Sequence, residues 1–219
     1  KNTYPLDGNY YSLATADNKK NFFLFSTTGL FIKTGKRTPV KILEHRTQCA
    51  VVDKNGFLWA GTWQDGLYRF RYTVQSDSVY IQSTEHYFPG EKFRSMFMDS
   101  QGNIWAGTRQ HGVYIINPGN PGEYSVLSQS KGLLSDFVKQ IAEDKEGNIW
   151  MATLGGGVSK ISFSEKNYKG SMQVKNYGEE DGIGSIYAYY AFRDSRNTLW
   201  FGTDGGGITR YEDGKFISF

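Results

Sequence analysis

Apolar and polar residues alternate along the chain in short stretches separated by turn residues, and few long helix-forming runs interrupt the pattern. The clearest block reads FVKQIAE, NIWMAT, GVSKIS and MQVKNY, between Phe137 and Tyr177. Short runs rich in β-branched and aromatic residues, bounded by Gly, Asn, Asp and Ser, are strands. Three further blocks read the same way: QCAVVD, FLWAGT, LYRFRY and EHYFP; FRSMFMD, NIWAGT, VYIIN and YSVLS; YAYYAF, TLWFGT, ITRYE and KFISF. The first part of the chain gives YSLATA, FFLFS, LFIKT and VKILE.

These blocks are copies of one unit. DKNGFLWAGTWQDGLYRF from Asp53, DSQGNIWAGTRQHGVYII from Asp99, DKEGNIWMATLGGGVSKI from Asp144 and DSRNTLWFGTDGGGITRY from Asp194 superpose directly, and DNKKNFFLFSTTGLFI from Asp17 is a shorter fifth copy. The aspartates stand 36, 46, 45 and 50 residues apart. A four-stranded unit repeating every 40 to 50 residues or so is a propeller blade. The expected fold is all-β, a β-propeller of four-stranded antiparallel blades near residues 10–45, 46–90, 91–135, 136–182 and 183–219. Five blades fit a closed five-bladed ring or an open part of a seven-bladed one.

Within each unit, Asp-x-x-Gly joins the first two strands, with the carboxylate accepting turn amides and glycine supplying a positive φ. Asn197 replaces that glycine in the last copy and is the next-best residue for a left-handed backbone. Trp59, Trp105, Trp150 and Trp200, with Phe23, form a column whose expected role is packing between blades. Beside it, Gly61-Thr62, Gly107-Thr108, Ala152-Thr153 and Gly202-Thr203 allow close backbone approach. Gly66, Gly112, Gly157 and Gly207 belong to the turn into the third strand.

Composition narrows the possibilities. Aromatic residues reach 16% and glycines number 26, which opposes disorder and suits a glycine-turned β fold. No apolar run is long enough to span a membrane as a helix, so the chain itself implies no membrane contact. The net charge of +3 comes from 25 basic and 22 acidic residues dispersed along the chain, which argues against nucleic acid as a partner. The single cysteine, Cys49, lies in the apolar run QCAVV and reads as a small buried hydrophobe. No Cys/His set has metal spacing, and nothing implies a cofactor. The opening KNTYPLDGNYY carries no signal peptide and reads as the start of a trimmed piece.

The string DxxGNIW(A/M)(G/A)T…GG(V/L/I) resembles the two-component regulator propeller repeat, most fully over GLLSDFVKQIAEDKEGNIWMATLGGGVSKI from Gly132 to Ile161. The resemblance covers all five units, strongly in four and loosely in the first. It implies the periplasmic sensor region of a Bacteroidetes hybrid two-component system, where seven-bladed propellers precede a β-sandwich, a membrane span and a kinase. It implies no ligand, because every matching residue belongs to the scaffold.

Candidate chemistry therefore lies in residues that escape the repeat. Loops between blades (Glu44-His45-Arg46, Phe88 to Lys92, Ser130 to Asp136, Gly178 to Ser185) should share a face with loops joining strands two and three. Among the latter, Trp63-Gln64-Asp65, answered by Arg109-Gln110-His111, resembles a sugar-binding mix of an aromatic face, amides and charges. The alternative is an exposed rim. Five residues before each aspartate stand Ser12, Gln48, Arg94, Lys139 and Tyr189. Arg94 and Lys139 would place positive charge near a central opening and suit a uronate or sulfated glycan; a solvated lining is the alternative. The alternating Tyr187, Tyr189 and Tyr190 are expected to divide between core and opening.

No catalytic constellation emerges. His45, His86 and His111 stand in different contexts, and Glu179-Glu180-Asp181 lacks calcium-loop spacing and reads as a solvated loop. The expected function is a non-enzymatic, ligand-sensing ectodomain piece responding to a glycan-derived oligosaccharide. A propeller lyase or other carbohydrate-active enzyme is the second reading, and a structural dimerisation module the third. Terminal blades with a bare apolar face predict self-association or pairing with neighbouring blades.

Overall fold

A computed structural model describes residues 10–16, 21–35, 37–164 and 171–219. Asp17, which heads the first copy of the repeat, lies outside the described residues. The chain divides into two compact units, Lys1–Arg94 and Ser95–Phe219.

The twenty strands among the described residues are arranged as five antiparallel four-stranded sheets, the blades of a β-propeller fold. The first unit holds β1 (Tyr10–Ala16), β2 (Asn21–Ser26), β3 (Gly29–Lys33) and β4 (Val40–Leu43), then β5 (Thr47–Val52), β6 (Leu58–Thr62), β7 (Leu67–Gln75) and β8 (Ser78–Tyr87). The division between units falls inside β9 (Phe93–Met98), which joins β10 (Ile104–Thr108), β11 (Val113–Ile116) and β12 (Tyr124–Leu127). The fourth sheet is β13 (Val138–Glu143), β14 (Ile149–Thr153), β15 (Val158–Phe163) and β16 (Met172–Tyr177). The fifth is β17 (Ala188–Arg193), β18 (Leu199–Thr203), β19 (Gly207–Glu212) and β20 (Lys215–Ser218).

The turn aspartate does more than hold its turn. In the fourth sheet, Asp144 Oδ1 accepts the Glu146 and Asn148 amides at 3.0 and 2.8 Å, and Oδ2 accepts the Trp150 indole N–H at 2.8 Å. The same indole bond joins Trp59 to Asp53, Trp105 to Asp99 and Trp200 to Asp194, at 2.9, 2.6 and 2.8 Å. The bond holds Asp194's carboxyl below its usual range, the Trp200 indole being the largest cause. Asn197 adopts φ 66°, matching Gly56, Gly102 and Gly147.

The tryptophans pack sheet on sheet. Trp150 is fully buried, with Tyr177 of its own sheet and Phe201, Tyr211 and Phe216 of the fifth sheet all within 6.3 Å between ring centroids. Phe23 faces Tyr72 across the first two sheets at 6.2 Å, and Trp105 faces Phe163 across the third and fourth at 6.4 Å. On the fifth sheet Trp200 is half-buried, and Tyr190, Phe192, Ile208 and Phe219 are exposed among the described residues. This corrects the division expected of the tyrosines. Tyr187 and Tyr190 are exposed and Tyr189 is half-buried, because the core positions of β17 are Ala188 and Ala191.

Two further segments keep their expected places and gain detail. LYRFRY and EHYFP belong to one long hairpin, β7 and β8, because the alternation continues through Tyr72 and Val74 and returns through Val79. Its two-residue tip, Ser76-Asp77, takes φ 48° and 62°, the positive values that suit the twist of paired strands. Residues Glu179–Asp181 form a turn of 3-10 helix closed by Gly182, with Asp181 Oδ2 accepting the Gly178 amide at 2.9 Å.

The close-approach glycines are equally specific. A Cβ on Gly61 would lie 2.7 Å from both Cys49 Sγ and Phe93 Cβ, whereas one on Gly202 would meet nothing nearer than Tyr190 Cβ at 3.5 Å. Burial pushes the Cys49 thiol up to about 12.

Three outcomes follow from this packing. Asp144→Ala leaves a buried indole N–H and the turn amides without their acceptor and should cost about 2–4 kcal/mol in urea unfolding, against less than about 1 kcal/mol for exposed Lys145→Ala. Gly61→Ala should cost about 1–3 kcal/mol by overpacking while Gly202→Ala is close to neutral, and equal costs would contradict the packing described. Cys49 should resist Ellman's reagent at pH 8 in the native protein and react stoichiometrically in denaturant.

Candidate functional site

The loops joining strands two and three are built identically. Thr62 Oγ1 donates to the Gly66 carbonyl at 2.9 Å and accepts the Asp65 amide at 2.8 Å. Thr108 does the same with Gly112 and His111, both at 2.9 Å. The glycine takes φ 75° at Gly66 and 72° at Gly112, where a Cβ would strike the Tyr87 and Leu127 carbonyl oxygens. Three of the loops are tied to the start of a first strand by the amide after the threonine: Trp63 to the Arg46 carbonyl at 2.8 Å, Leu154 to Phe137 at 3.0 Å and Asp204 to Tyr187 at 2.9 Å. The two loop sets named from the sequence therefore meet within each unit.

In the first unit this brings Arg46, Trp63, Gln64 and Asp65 around a cleft of about 400 Å³ with Glu44, His45, Thr27 and Thr62. Trp63 is not a bare aromatic shelf. The Arg46 and Arg94 guanidiniums lie 4.0 and 3.8 Å from its ring centroid, so cations cover its π surface. Arg94 is buried, with Nη1 donating to the Phe93 and Trp63 carbonyls at 2.8 and 3.4 Å. It is a packing cation that supports Trp63, not a solvated lining residue. The exposed Arg46 guanidinium is held 4.0 Å from the indole centroid at the cleft, where its fork is available for bidentate contacts.

Asp65 organises a group that the sequence reading kept apart. His45 Nε2 lies 3.1 Å from Asp65 Oδ2, the Tyr68 hydroxyl donates to the same oxygen at 2.7 Å, and His86 Nε2 lies 2.8 Å from the Asp65 carbonyl. Tyr68 stacks against both imidazoles, at 5.6 Å from His45 and 4.3 Å from His86. Burial, and then Asp65, push the Tyr68 hydroxyl up to about 12. Two of the three histidines thus share one tyrosine. The link was open to sequence reasoning through strand register, since Tyr68 and His86 are paired across β7 and β8.

The column counted back from the aspartates has a structural cause. Gln48, Lys139 and Tyr189 each occupy a β-bulge where the first strand slips by one residue against the second. Bulges re-aim a side chain that regular pairing would place in the sheet. In the first sheet the slip falls at Tyr11, not Ser12, because Ala14 pairs with Phe23 as Val51 pairs with Trp59. Gln48 is half-buried, its Nε2 turned back to the Thr47 carbonyl at 3.5 Å.

In the second unit, Lys139 Nζ lies 5.2 Å from the ring of Tyr189, the next bulge, and 5.6 Å from Phe137. The Arg109 guanidinium approaches Phe137 from the neighbouring loop at 5.9 Å. Arg109, Lys139 and Tyr189 therefore gather around Phe137, which the sequence reading passed over although it stands seven residues before Asp144, as Arg46 does before Asp53. Gln110 and His111 are exposed beside Arg109. No group of three metal-ligating side chains is present among the described residues.

Comparison with known proteins agrees with this architecture. Residues 87–110 and 132–155 match the model of the two component regulator propeller. The extracellular domain of a Bacteroides thetaiotaomicron protein described as a hybrid two component system is 21% identical, with a TM-score of 0.72 over 97% of this chain and 31% of that one. A second such domain from B. thetaiotaomicron gives 17% identity and a TM-score of 0.69 over 93% and 28%. Virginiamycin B lyase from Staphylococcus aureus, solved with quinupristin, is 12% identical, with a TM-score of 0.72 over 100% of this chain and 72% of the lyase. The chain spans about a third of the length of the extracellular domains it matches. No curated protein matches it. One matched segment contains Asp99, Trp105 and Gly107-Thr108 and the other Asp144, Trp150 and Ala152-Thr153, so the chain, a β-propeller by its sheets, carries copies that match the two component regulator propeller repeat.

Proposed function

We propose that this chain is a non-enzymatic, ligand-sensing segment of the periplasmic region of a hybrid two-component sensor, and that its ligand is a glycan-derived oligosaccharide. The repeat match and the likeness to extracellular sensor domains support the signalling role. One observation carries the ligand class: the cleft of about 400 Å³ in which Arg46, 4.0 Å from the Trp63 ring centroid, stands beside Gln64, Thr62 and Asp65. A concave site that mixes an aromatic with a few fixed amide, hydroxyl and charged groups satisfies the alternating C–H and O–H surface of a sugar. Here the guanidinium forms the flat surface that the sequence assigned to the indole. Kinase activity belongs to other domains of such a receptor, and the chain passes on occupancy of its loops.

Thermal unfolding in the presence of an oligosaccharide panel tests this reading. A ligand present at 100 times its Kd stabilises by about 2.7 kcal/mol, which raises the Tm of a chain this size by roughly 5–10 °C. Gln64→Ala and Arg46→Ala should abolish most of the shift while leaving the ligand-free Tm nearly unchanged. The absence of a shift with any glycan would overturn the oligosaccharide reading. Chain cleavage of a glycan on incubation, detected by mass spectrometry, would replace it with the lyase reading.

A further inference from the structure

The second unit has another concave site, at the opposite end of β14 from the Leu154-Gly155-Gly156 loop. There the turn after β13, the turn after β17 and the β19–β20 hairpin border a cavity of about 490 Å³. Its charged groups sort by what they already hold. Asp144 engages both oxygens with its turn and with Trp150, Glu146 pairs with Lys145 at 3.6 Å, and Glu212 pairs with Arg210 at 2.9 Å. Lys160, Arg196 and Asp213 complete the charged lining. Arg196 acts on Asp194 through its charge, while the Asp194 oxygens accept the Arg196 and Thr198 amides and the Trp200 indole.

The place of Lys160 recurs in the repeat. The third-strand residue opposite the core tryptophan is a cation in three sheets: Arg69 opposite Trp59, Lys160 opposite Trp150 and Arg210 opposite Trp200. The cations lie 5.1, 5.2 and 6.0 Å from the indole centroids. In the second sheet the fourth strand answers Arg69 with Glu85, at 3.4 Å, and in the fifth sheet Glu212 answers Arg210. In the fourth sheet the residue opposite Lys160 is Lys175, and no carboxylate pairs with Lys160 among the described residues. Like charges directly opposite across two strands are unfavourable. Asp213 is the converse, an exposed acid at φ 50° in the hairpin turn, with no side-chain hydrogen bond or ion pair among the described residues.

We propose that this cavity binds a zwitterionic amino acid or short peptide, its carboxylate at Lys160 and Arg196 and its ammonium at Asp213. The ligand carboxylate supplies to Lys160 what Glu85 supplies to Arg69, and the Arg196 fork suits the same group. Tyr211, with its ring centroid 4.6 Å from that of Trp150, gives an aromatic wall for the carbon skeleton. A purely anionic ligand would meet Glu146, Glu212 and Asp213 unfavourably, and a purely cationic one would meet Lys160 and Arg196. A ligand of both signs has a complement for each. The site shares no residue with the cleft around Arg46 and Trp63, so it stands apart from the oligosaccharide reading.

Calorimetric titration of the full chain with four probes tests the proposal: L-alanine, L-alanyl-L-alanine, N-acetyl-L-alanine, which lacks the ammonium, and L-alaninamide, which lacks the carboxylate. At least one of the first two should bind ten-fold or more tighter than either blocked probe; the tighter of the two gives the ligand length. Lys160→Gln should weaken that binding at least ten-fold, and Lys160→Arg should retain most of it. Asp213→Asn, which keeps a residue suited to positive φ, should weaken it as strongly. A ligand-free Tm no lower than that of the parent verifies the fold of each variant. Arg46→Ala should leave alanine or dialanine binding unchanged, and Lys160→Gln should leave any oligosaccharide shift unchanged, so each site can fail without the other. Equal binding of N-acetyl-L-alanine reduces the cavity to an anion site and overturns the proposal. Binding of none of the four, or binding untouched in both Lys160→Gln and Asp213→Asn, overturns it as well.

Discussion

The bond from the tryptophan indole to the turn aspartate is the constraint on which the second to fifth blades depend. An indole needs a hydrogen-bond acceptor when buried, and a carboxylate buried beside it needs donors. Asp53, Asp99 and Asp144 meet both needs at once, with one oxygen on the backbone of the turn and the other on the ring. The turn thereby fixes the depth of the tryptophan in its sheet, and the tryptophan fixes the surface on which the next sheet lies. Trp150 shows the result, enclosed by rings from two sheets. Half-buried Trp200 keeps the bond, so anchoring by the turn does not require the full enclosure that Trp150 has.

The site chemistry is arranged by a second device, the slip in the first strand of four of the sheets. Regular pairing sends alternate residues to opposite faces of a sheet, and one extra residue breaks that rule locally. Gln48, Lys139 and Tyr189 leave the sheet's alternation there, close to the loops after the second strand. Arg46 and Phe137, two residues earlier, lock to those loops by a main-chain bond. A rigid scaffold and a few aimed side chains are thus parts of the same strand, which is why the loops hold their geometry without helices or metal to brace them.

Much of the fold was legible because one unit recurs, so that a single ambiguous stretch could be read against its copies. The aspartate, the Gly/Asn turn and the tryptophan column were read in this way. The second oxygen of the aspartate was not, because its bond to a ring six residues on depends on side-chain direction rather than on spacing. Ser12 was misplaced by counting from Asp17, since the first turn differs in length and pairing, not distance from an aspartate, sets the bulge at Tyr11. The site was less legible. Its residue types were visible, but their partners come from register and stacking: Tyr68 between two histidines, Phe137 between two cations, and an indole already covered by guanidiniums.

The Thr-to-Gly closure of each loop also bears on how such a protein changes over generations. The threonine hydroxyl and the glycine backbone close the turn with groups that belong to the repeat, so the three residues between them are not needed for closure. In this chain those triplets are Trp-Gln-Asp, Arg-Gln-His, Leu-Gly-Gly and Asp-Gly-Gly. Duplicated units of this kind can drift at their tips one at a time while the frame beneath is held by selection for folding. Recognition is then free to diversify by point substitution at the Trp-Gln-Asp and Arg-Gln-His tips, whereas Gly156 and Gly206 are fixed by close approach, a Cβ on them lying 2.9 Å from Ser135 and 2.1 Å from Gly184.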